Sequence, residues 1–472
     1  MTDEAPSIQR SRAEPAPGHR SRRALRPALA DRQMSMIAIG GVIGAGLFVG
    51  SGSVVNQAGP AALVAYVVSG GLVVLIMRML AELSVAAPTT GSFASYAAGE
   101  FGSWSGLAVG TLYAYSWWVT VGIEAVVGGG LFHGLVPAVP AWAAACASVV
   151  VLAGANLLAV RAYGEAEFWF ALVKVVAIVL FIGLGLAAIA GLLPGVAAPG
   201  TANLLGHGGF APHGWYAVLP AILVVTFAFN GAEVVTIAAG EAVRPVEAVR
   251  RAIRSTVARI LVFYIGSIVV IVTLLPYDDA GVTRSPYSAV LEHLRLPHAG
   301  LVMDLVVLVA VLSCLNSGIY ISSRMMWALA ERGEAPRLLA RTTAAGVPVP
   351  AVLLASAAGL GTAAANYFVP TSAVFDFLVD SSGSVTILVY LAIALTQLRG
   401  RARARRAGRV PAVRMWLFPY LSWLVVLALA ATFVLLLIDQ GTRRSLLLTL
   451  SAAVIAVAAG VARQLRRKGS PR

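Results

Sequence analysis

Apolar and charged positions divide the chain into twelve apolar runs, at about 34–55, 60–82, 105–132, 141–160, 166–191, 215–239, 256–275, 300–328, 350–369, 373–397, 414–438 and 445–463. An α-helix rises about 1.5 Å per residue, so about 20 residues cross a hydrocarbon core of about 30 Å. The pattern predicts an all-α polytopic membrane protein with twelve transmembrane helices. Positive charge falls between alternate runs. One set of connections holds Arg161, then Arg244, Arg250, Arg251 and Arg254, then Arg332, Arg337 and Arg341, then six arginines from Arg399 to Arg409, then Arg466, Arg467, Lys468 and Arg472. The opposite set holds only Arg284, Arg295, Arg443 and Arg444. The positive-inside rule then puts both termini in the cytoplasm, as an even number of spans requires. Arg78 stands near the cytoplasmic end of the second run, where it can snorkel to the headgroups.

Two runs depart from a plain lipid-facing helix. The first, MSMIAIGGVIGAGLFVGSG at 34–52, carries no charge but has glycines at 40, 41, 44, 46, 50 and 52. Each interior glycine costs a helix about 0.5–1 kcal/mol relative to alanine. Such a run either opens near its middle, freeing N–H and C=O groups for a polar ligand, or packs closely on a neighbouring helix, for which Gly40 and Gly44 are suitably spaced. The sixth, LVVTFAFNGAEVVTIAAG at 223–240, places Asn230, Gly231 and Glu233 at mid-membrane between apolar neighbours. An acid at that depth is a site candidate by default. If runs 1–5 and 6–10 are inverted repeats, with the last two helices appended, these two runs occupy matching positions. That is a transporter arrangement, in which broken helices meet at the bilayer midplane.

Composition narrows the function further. The residues are 59% hydrophobic and 12% charged, with a mean hydropathy of +0.84, outside the range of soluble domains. The net charge of +14 belongs to membrane orientation, because its arginines lie at run ends; no nucleic-acid partner is expected. Cys146 and Cys314 lie in apolar runs and suggest neither a disulfide framework nor a metal centre. Five of the histidines, His133, His207, His213, His293 and His298, sit in or beside the non-cytoplasmic connections without ligand spacing. With no nucleophile motif or phosphate loop either, the reading is a non-enzyme without cofactor. Residues 1–30 read as a disordered basic cytoplasmic tail, 31–397 as a ten-helix core, 398–463 as a cytoplasmic loop with two further helices, and 464–472 as a second cytoplasmic tail.

At this resolution of motifs the chain resembles the amino acid–polyamine–organocation superfamily, in its bacterial amino acid transporter branch. The resemblance runs through IAIGGVIGAGLFVGSG (37–52), GSFASYA (91–97), YGEAEFWFALVKVVAI (163–178), FAFNGAEVVTIAAGE (227–241), SCLNSGIYISSRMMWALAERGEAP (313–336) and FLVDSSG (377–383). Within the branch it is most similar to the γ-aminobutyrate (GABA) permeases, through LVVLIMRMLAELSVAAPTTGSF (72–93), LVMD (301–304) and RMWLFPYLSWLV (414–425). Arg250 stands where most of the branch has proline, as in the GABA permeases, whereas Gly46 replaces a serine of theirs.

The resemblance implies a proton-coupled symporter for a small zwitterionic amino acid, GABA above other neutral amino acids such as alanine, proline or an aromatic one, in the bacterial plasma membrane. Channels and transporter-like nutrient sensors are the other classes compatible with the helices. The break of the first helix would present Ile39, Gly40, Gly41, Ile43, Gly44, Ala45 and Gly46 to the substrate carboxylate. The break of the sixth would present Phe227, Ala228, Phe229, Asn230 and Gly231 to the amino group, with Phe227 as a gate. Lys174 would take the place of a sodium ion, tying the fifth helix to the opened first. A lysine about nine residues into an apolar run does need partners. Glu124 and Glu233 are the first candidates to carry the coupling proton, ahead of Asp304 and Asp380. Glu82 and Glu165 are expected to pair with Arg78, Arg161 or the arginines of 244–254, and Glu241 to anchor that loop or gate it. A membrane-lipid setting is implied; an oligomeric state is not.

Overall fold

The computed structural model describes residues 36, 41–158, 160–238, 245–369 and 371–469. The expected basic tail at 1–30, the site candidates Ile39 and Gly40, and Glu241 lie outside the described residues. Between turns and irregular connections those described form α-helices: α1 (Ala45–Phe48), α2 (Gly50–Ala58), α3 (Ala62–Ala86), α4 (Ser92–Phe101), α5 (Ser103–Leu135), α6 (Ala141–Asn156), α7 (Val160–Ile189), α8 (Val218–Ala228), α9 (Val234–Ala238), α10 (Pro245–Leu274), α11 (Ala280–Arg284), α12 (Pro286–His293), α13 (Ala299–Glu331), α14 (Val349–Ala365), α15 (Thr371–Arg406), α16 (Tyr420–Ile438) and α17 (Arg443–Gly469).

Among the described residues, seven helical stretches are long and apolar enough to span a membrane, and four further apolar helices are shorter. The short ones include Trp215–Ala228 and Leu261–Leu274, and the first long stretch, Ala45–Ala86, joins α1, α2 and α3. Three connections expected to be loops hold helix: α4, the pair α11 and α12, and the extension of α15 to Arg406. In that extension, RGRARARR combines alanine with arginine, both good helix formers, so helix continues past the apolar run.

Helix α5 is the hub. It packs against α4, α6, α13, α14, α15 and α17, and small residues let these neighbours approach its backbone. A side chain at Gly129 would lie 2.3 Å from the Ala141 carbonyl, and one at Gly122 would lie 2.5 Å from Thr362. The last two helices are peripheral: only 28% of the apolar stretch of each is buried, against 67% for α15. Their exposed side chains, among them Leu427, Val434 and Ile455, are apolar, as a lipid-facing surface demands. Exposed Trp215, Tyr216, Tyr420 and Trp423 lie at helix starts, where aromatic rings suit the membrane interface.

One expected ion pair is replaced. Glu82 does not pair with Arg78: its carboxylate meets Arg401 at 3.0 Å and accepts the Met415 N–H at 2.7 Å. Arg78 donates to the Arg414 carbonyl at 2.9 Å and lies over the Trp416 ring. The segment between α15 and α16 folds back over the end of α3, so that Met415 of this segment and Arg401 of α15 both reach Glu82 from more than 300 positions away.

Candidate functional site

Both odd runs depart from helix. Gly41 to Gly44 form a non-helical turn before α1, and residues 229–233 form turns between α8 and α9. Gly41 and Ile43 therefore lie in the first gap and Gly44 at its edge, while Ala45 and Gly46 begin the helix beyond it. Phe227 and Ala228 end α8, and Phe229, Asn230 and Gly231 lie in the second gap. The gaps abut. Gly231 has φ +110°, a conformation that favours glycine, and a Cβ there would fall 2.6 Å from the Gly41 carbonyl oxygen. At Gly46 a Cβ would fall 2.7 Å from the Ala228 Cα, so the serine of GABA permeases would not fit here without a backbone shift.

A tyrosine that the sequence reading missed joins the gaps. The Tyr264 hydroxyl, fully buried on α10, lies 3.0 Å from the Val42 carbonyl and 2.6 Å from the Ala228 carbonyl. Its one proton serves one carbonyl at a time. Its ring stacks on Phe229 with centroids 4.6 Å apart. Asn230 is 5% exposed, and neither atom of its amide has a hydrogen-bond partner.

The first gap is closed by a carboxylate. Both oxygens of Glu124, projecting from α5, accept the Ala45 N–H, at 3.1 and 3.0 Å. This is the first amide of a helix, one with no intrahelical acceptor. Beside it the Cys314 thiol of α13 donates to the Gly41 carbonyl at 3.6 Å. Lys174, fully buried on α7, faces Glu167, Cys314 and Glu124. Glu167 was also missed. It is fully buried and accepts the Ser313 hydroxyl proton at 2.5 Å. Its sequence signal was available, since it precedes Lys174 by seven residues, two helical turns on one face.

Glu233 belongs to the second gap. Its carboxylate accepts from the Tyr113 hydroxyl at 2.8 Å, the Tyr390 hydroxyl at 3.1 Å and the Gly231 N–H at 3.1 Å. Three donors satisfy a buried acid and pin the start of α9 to α5 and α15. The structure thus brings Lys174 and Glu124 together and gives Glu233 a set of partners of its own. Asp304 accepts from Ser288 at 2.5 Å and Ser285 at 3.2 Å, at the start of α12.

A cavity of about 770 Å³ opens at the end of the bundle that carries residues 276–299, lined by Val49, Ser53, Leu131, Arg284, Asp304 and Phe375 among others. A second, of about 400 Å³, shares Ser53, Phe375 and Asp376 with it and reaches Val224 and Asp380. Val49 and Val224 stand four residues, about one helical turn, from Ala45 and Ala228. Each cavity thus has a lining residue about one helical turn from a residue that flanks a gap.

The amino acid permease family profile matches residues 33–470. The chain is 45% identical over 432 residues to a gamma-aminobutyric acid permease of Bacillus subtilis, with 91% of this chain and 92% of that protein covered. With a gamma-aminobutyric acid permease of Escherichia coli it shares 47% identity over 399 residues, covering 84% of this chain and 85% of the other. An aromatic amino acid transport protein of Corynebacterium glutamicum is 38% identical over 428 residues, covering 90% of this chain and 92% of the other. Among solved structures, a manganese transporter of Eremococcus coleocola shares the fold, with a TM-score of 0.60 at 14% identity over 92% of this chain and 94% of that one.

Proposed function

The chain belongs to the amino acid permease family, and from that premise we propose that it imports GABA together with a proton by alternating access. The observation that carries the reading is the pair of abutting helix gaps beside a buried lysine. In this reading twelve helices cross the plasma membrane with both termini cytoplasmic, the first ten form inverted repeats around the gaps, and the cavities open outward. The higher identity to GABA permeases than to the aromatic transporter supports the choice of substrate.

The chemistry of the gaps suits a zwitterion. The start of α1 offers amide donors and the positive end of a helix to a carboxylate. Carbonyls at the end of α8 and the Asn230 amide, buried without partner, suit an ammonium group. Glu124 already holds the Ala45 amide. A substrate carboxylate arriving there sets two anions at one helix end, and a proton on Glu124 relieves their repulsion. Substrate and proton thereby bind more tightly together than apart, which is the requirement for symport. Arginine or lysine would bring a second charge needing a buried partner of its own.

Purified protein in vesicles is expected to accumulate labelled GABA when the outside is acid, and to lose this when the pH gradient is collapsed. Unlabelled GABA should compete better than alanine, proline or phenylalanine. Displacement by one of these at far lower concentration would reject GABA and keep the family.

Topology has its own test. Leu205→Cys and His293→Cys, both at exposed positions, should react with an impermeant thiol reagent from outside intact cells, and Arg405→Cys should not. Cys146 is replaced in this background, whereas Cys314, buried against the first gap, is retained. Labelling at 405 alone reverses the orientation.

A further inference from the structure

A polar seam leaves the first gap along the interface of α7 and α13. On α7 it consists of Tyr163, Glu167 and Lys174, whose spacings of four and seven put them on one helical face. On α13 it consists of Ser313, Cys314, Ser317, Tyr320 and Arg324, again at helical spacing. All are buried, with Arg324 only 2% exposed. From Glu167 to Arg324 the contacts are continuous. Ser313 bonds Glu167 at 2.5 Å, Asn316 and Ser317 also face that carboxyl, and the Tyr163 and Ser317 hydroxyls are 3.0 Å apart. Tyr163 stacks on Tyr320 at 4.2 Å, and the Arg324 guanidinium lies 3.9 Å over the other ring's centre. From Ser313 to Arg324 the seam runs eleven residues, about 16 Å of helix and about half of a hydrocarbon core. Burying this many polar groups is costly, and lipid-facing packing has no need of them.

We propose that Glu167 is the inner station of the coupling proton, receiving it from Glu124 by way of Lys174 and passing it along Ser317 and Tyr163 toward the Arg324 end of the seam. The inference rests on proton coupling as proposed above. Two carboxylates and one ammonium buried together leave one negative charge uncompensated, and a single proton shared by the two acids removes it. The transfer balances. The Lys174 ammonium gives a proton to the Glu167 carboxylate and takes one from the Glu124 carboxylic acid, so the amine ends as ammonium and the net charge is unchanged. The groups that face Glu167 are Lys174 and Tyr163 on its own helix and Ser313, Asn316, Ser317 and Cys314 on α13, with Glu124 of α5 beyond the lysine, whereas Tyr320 and Arg324 face Tyr163. Helix α10 contributes Tyr264 on the far side of Cys314 and Glu124. Passage from Glu124 to Glu167 moves the proton off the substrate gap and returns the Glu124 carboxylate to the Ala45 N–H, which expels the substrate carboxylate.

The test separates proton movement from substrate movement in vesicles. Glu167→Gln keeps the size of the side chain and an acceptor for Ser313 but cannot take up a proton. Expected is a loss of proton-driven GABA accumulation at least tenfold greater than the loss of GABA exchange, with the pH dependence of uptake flattened and partial recovery in Glu167→Asp. Tyr163→Phe, which leaves the three charges intact, should slow net uptake more than exchange. Equal losses of accumulation and exchange in both variants, or a wild-type ratio of protons to substrate in Glu167→Gln, would overturn the relay. Wild-type protein that accumulates GABA without any response to the pH gradient overturns the coupling reading, and the relay with it.

Discussion

Lys174→Ala is expected to leave the protein inserted in the membrane while abolishing accumulation of substrate against a gradient. Lys174 is completely buried and faces Glu167, Cys314 and Glu124. Removing the ammonium strands two acids in a low-dielectric interior, and breaking a buried ion pair from one side costs about 3–5 kcal/mol. At about 1.4 kcal/mol per decade, that amounts to a factor of 10² or more in the population of the working geometry. The loss falls on the first gap, because the Glu124 carboxylate that loses its counter-charge is the group holding the start of α1. Insertion survives because no apolar run or orienting arginine changes. Arginine should rescue poorly, since its rigid planar fork cannot replace a compact ammonium inside a seam of this width. Uptake and exchange measured with equal amounts of membrane-embedded variant decide the matter, and near-normal accumulation by Lys174→Ala would refute a role for the lysine in organising the site.

Gly44→Ala should reduce uptake by about 10² or more. The reason is space, since φ −146° and ψ −148° at Gly44 are not a left-handed conformation. An added Cβ would lie 2.4 Å from Glu124 Oε1, 2.8 Å from Cys314 Cβ and 2.9 Å from its sulfur. The carboxylate must then leave the Ala45 amide, or α1 must retreat from α5 and α13. Either displacement shifts the amides that receive a substrate carboxylate in the proposed mechanism. Gly71→Ala is the control, as nothing lies within 4 Å of a Cβ at that position of α3. Rates of labelled substrate uptake for both variants at matched protein levels give the comparison. A Gly44→Ala protein as active as Gly71→Ala would show that the Glu124 contact with α1 is dispensable.

Much about this protein was determined by the sequence alone. Hydropathy is a property of each residue, and twenty apolar residues in succession have few alternatives to crossing a bilayer, so membrane class was legible. For a similar reason the sequence marked where helix could fail, although the spacing of Gly40 and Gly44 suited close helix packing equally well. Glycine clusters at 40–46 and the Asn230–Gly231 pair weaken helix through their own backbone preferences, and gaps lie at 41–44 and 229–233. Lys174 stood out because a charge in an apolar run is anomalous whatever surrounds it. Partners were another matter. Glu124 meets Ala45 across 79 positions, Glu167 meets Ser313 across 146, and Tyr264 meets Val42 across 222. No local term of the chain encodes these distances. They depend on how helices cross and rotate against one another, and a turn of a few tens of degrees would aim each side chain elsewhere. The same holds for Glu82, whose local surroundings suggested Arg78 and whose partner is Arg401. Residue chemistry and backbone preference are local and can be read in order; the coupling of one buried charge to another is a property of the packed helices, and only the tertiary structure decided it.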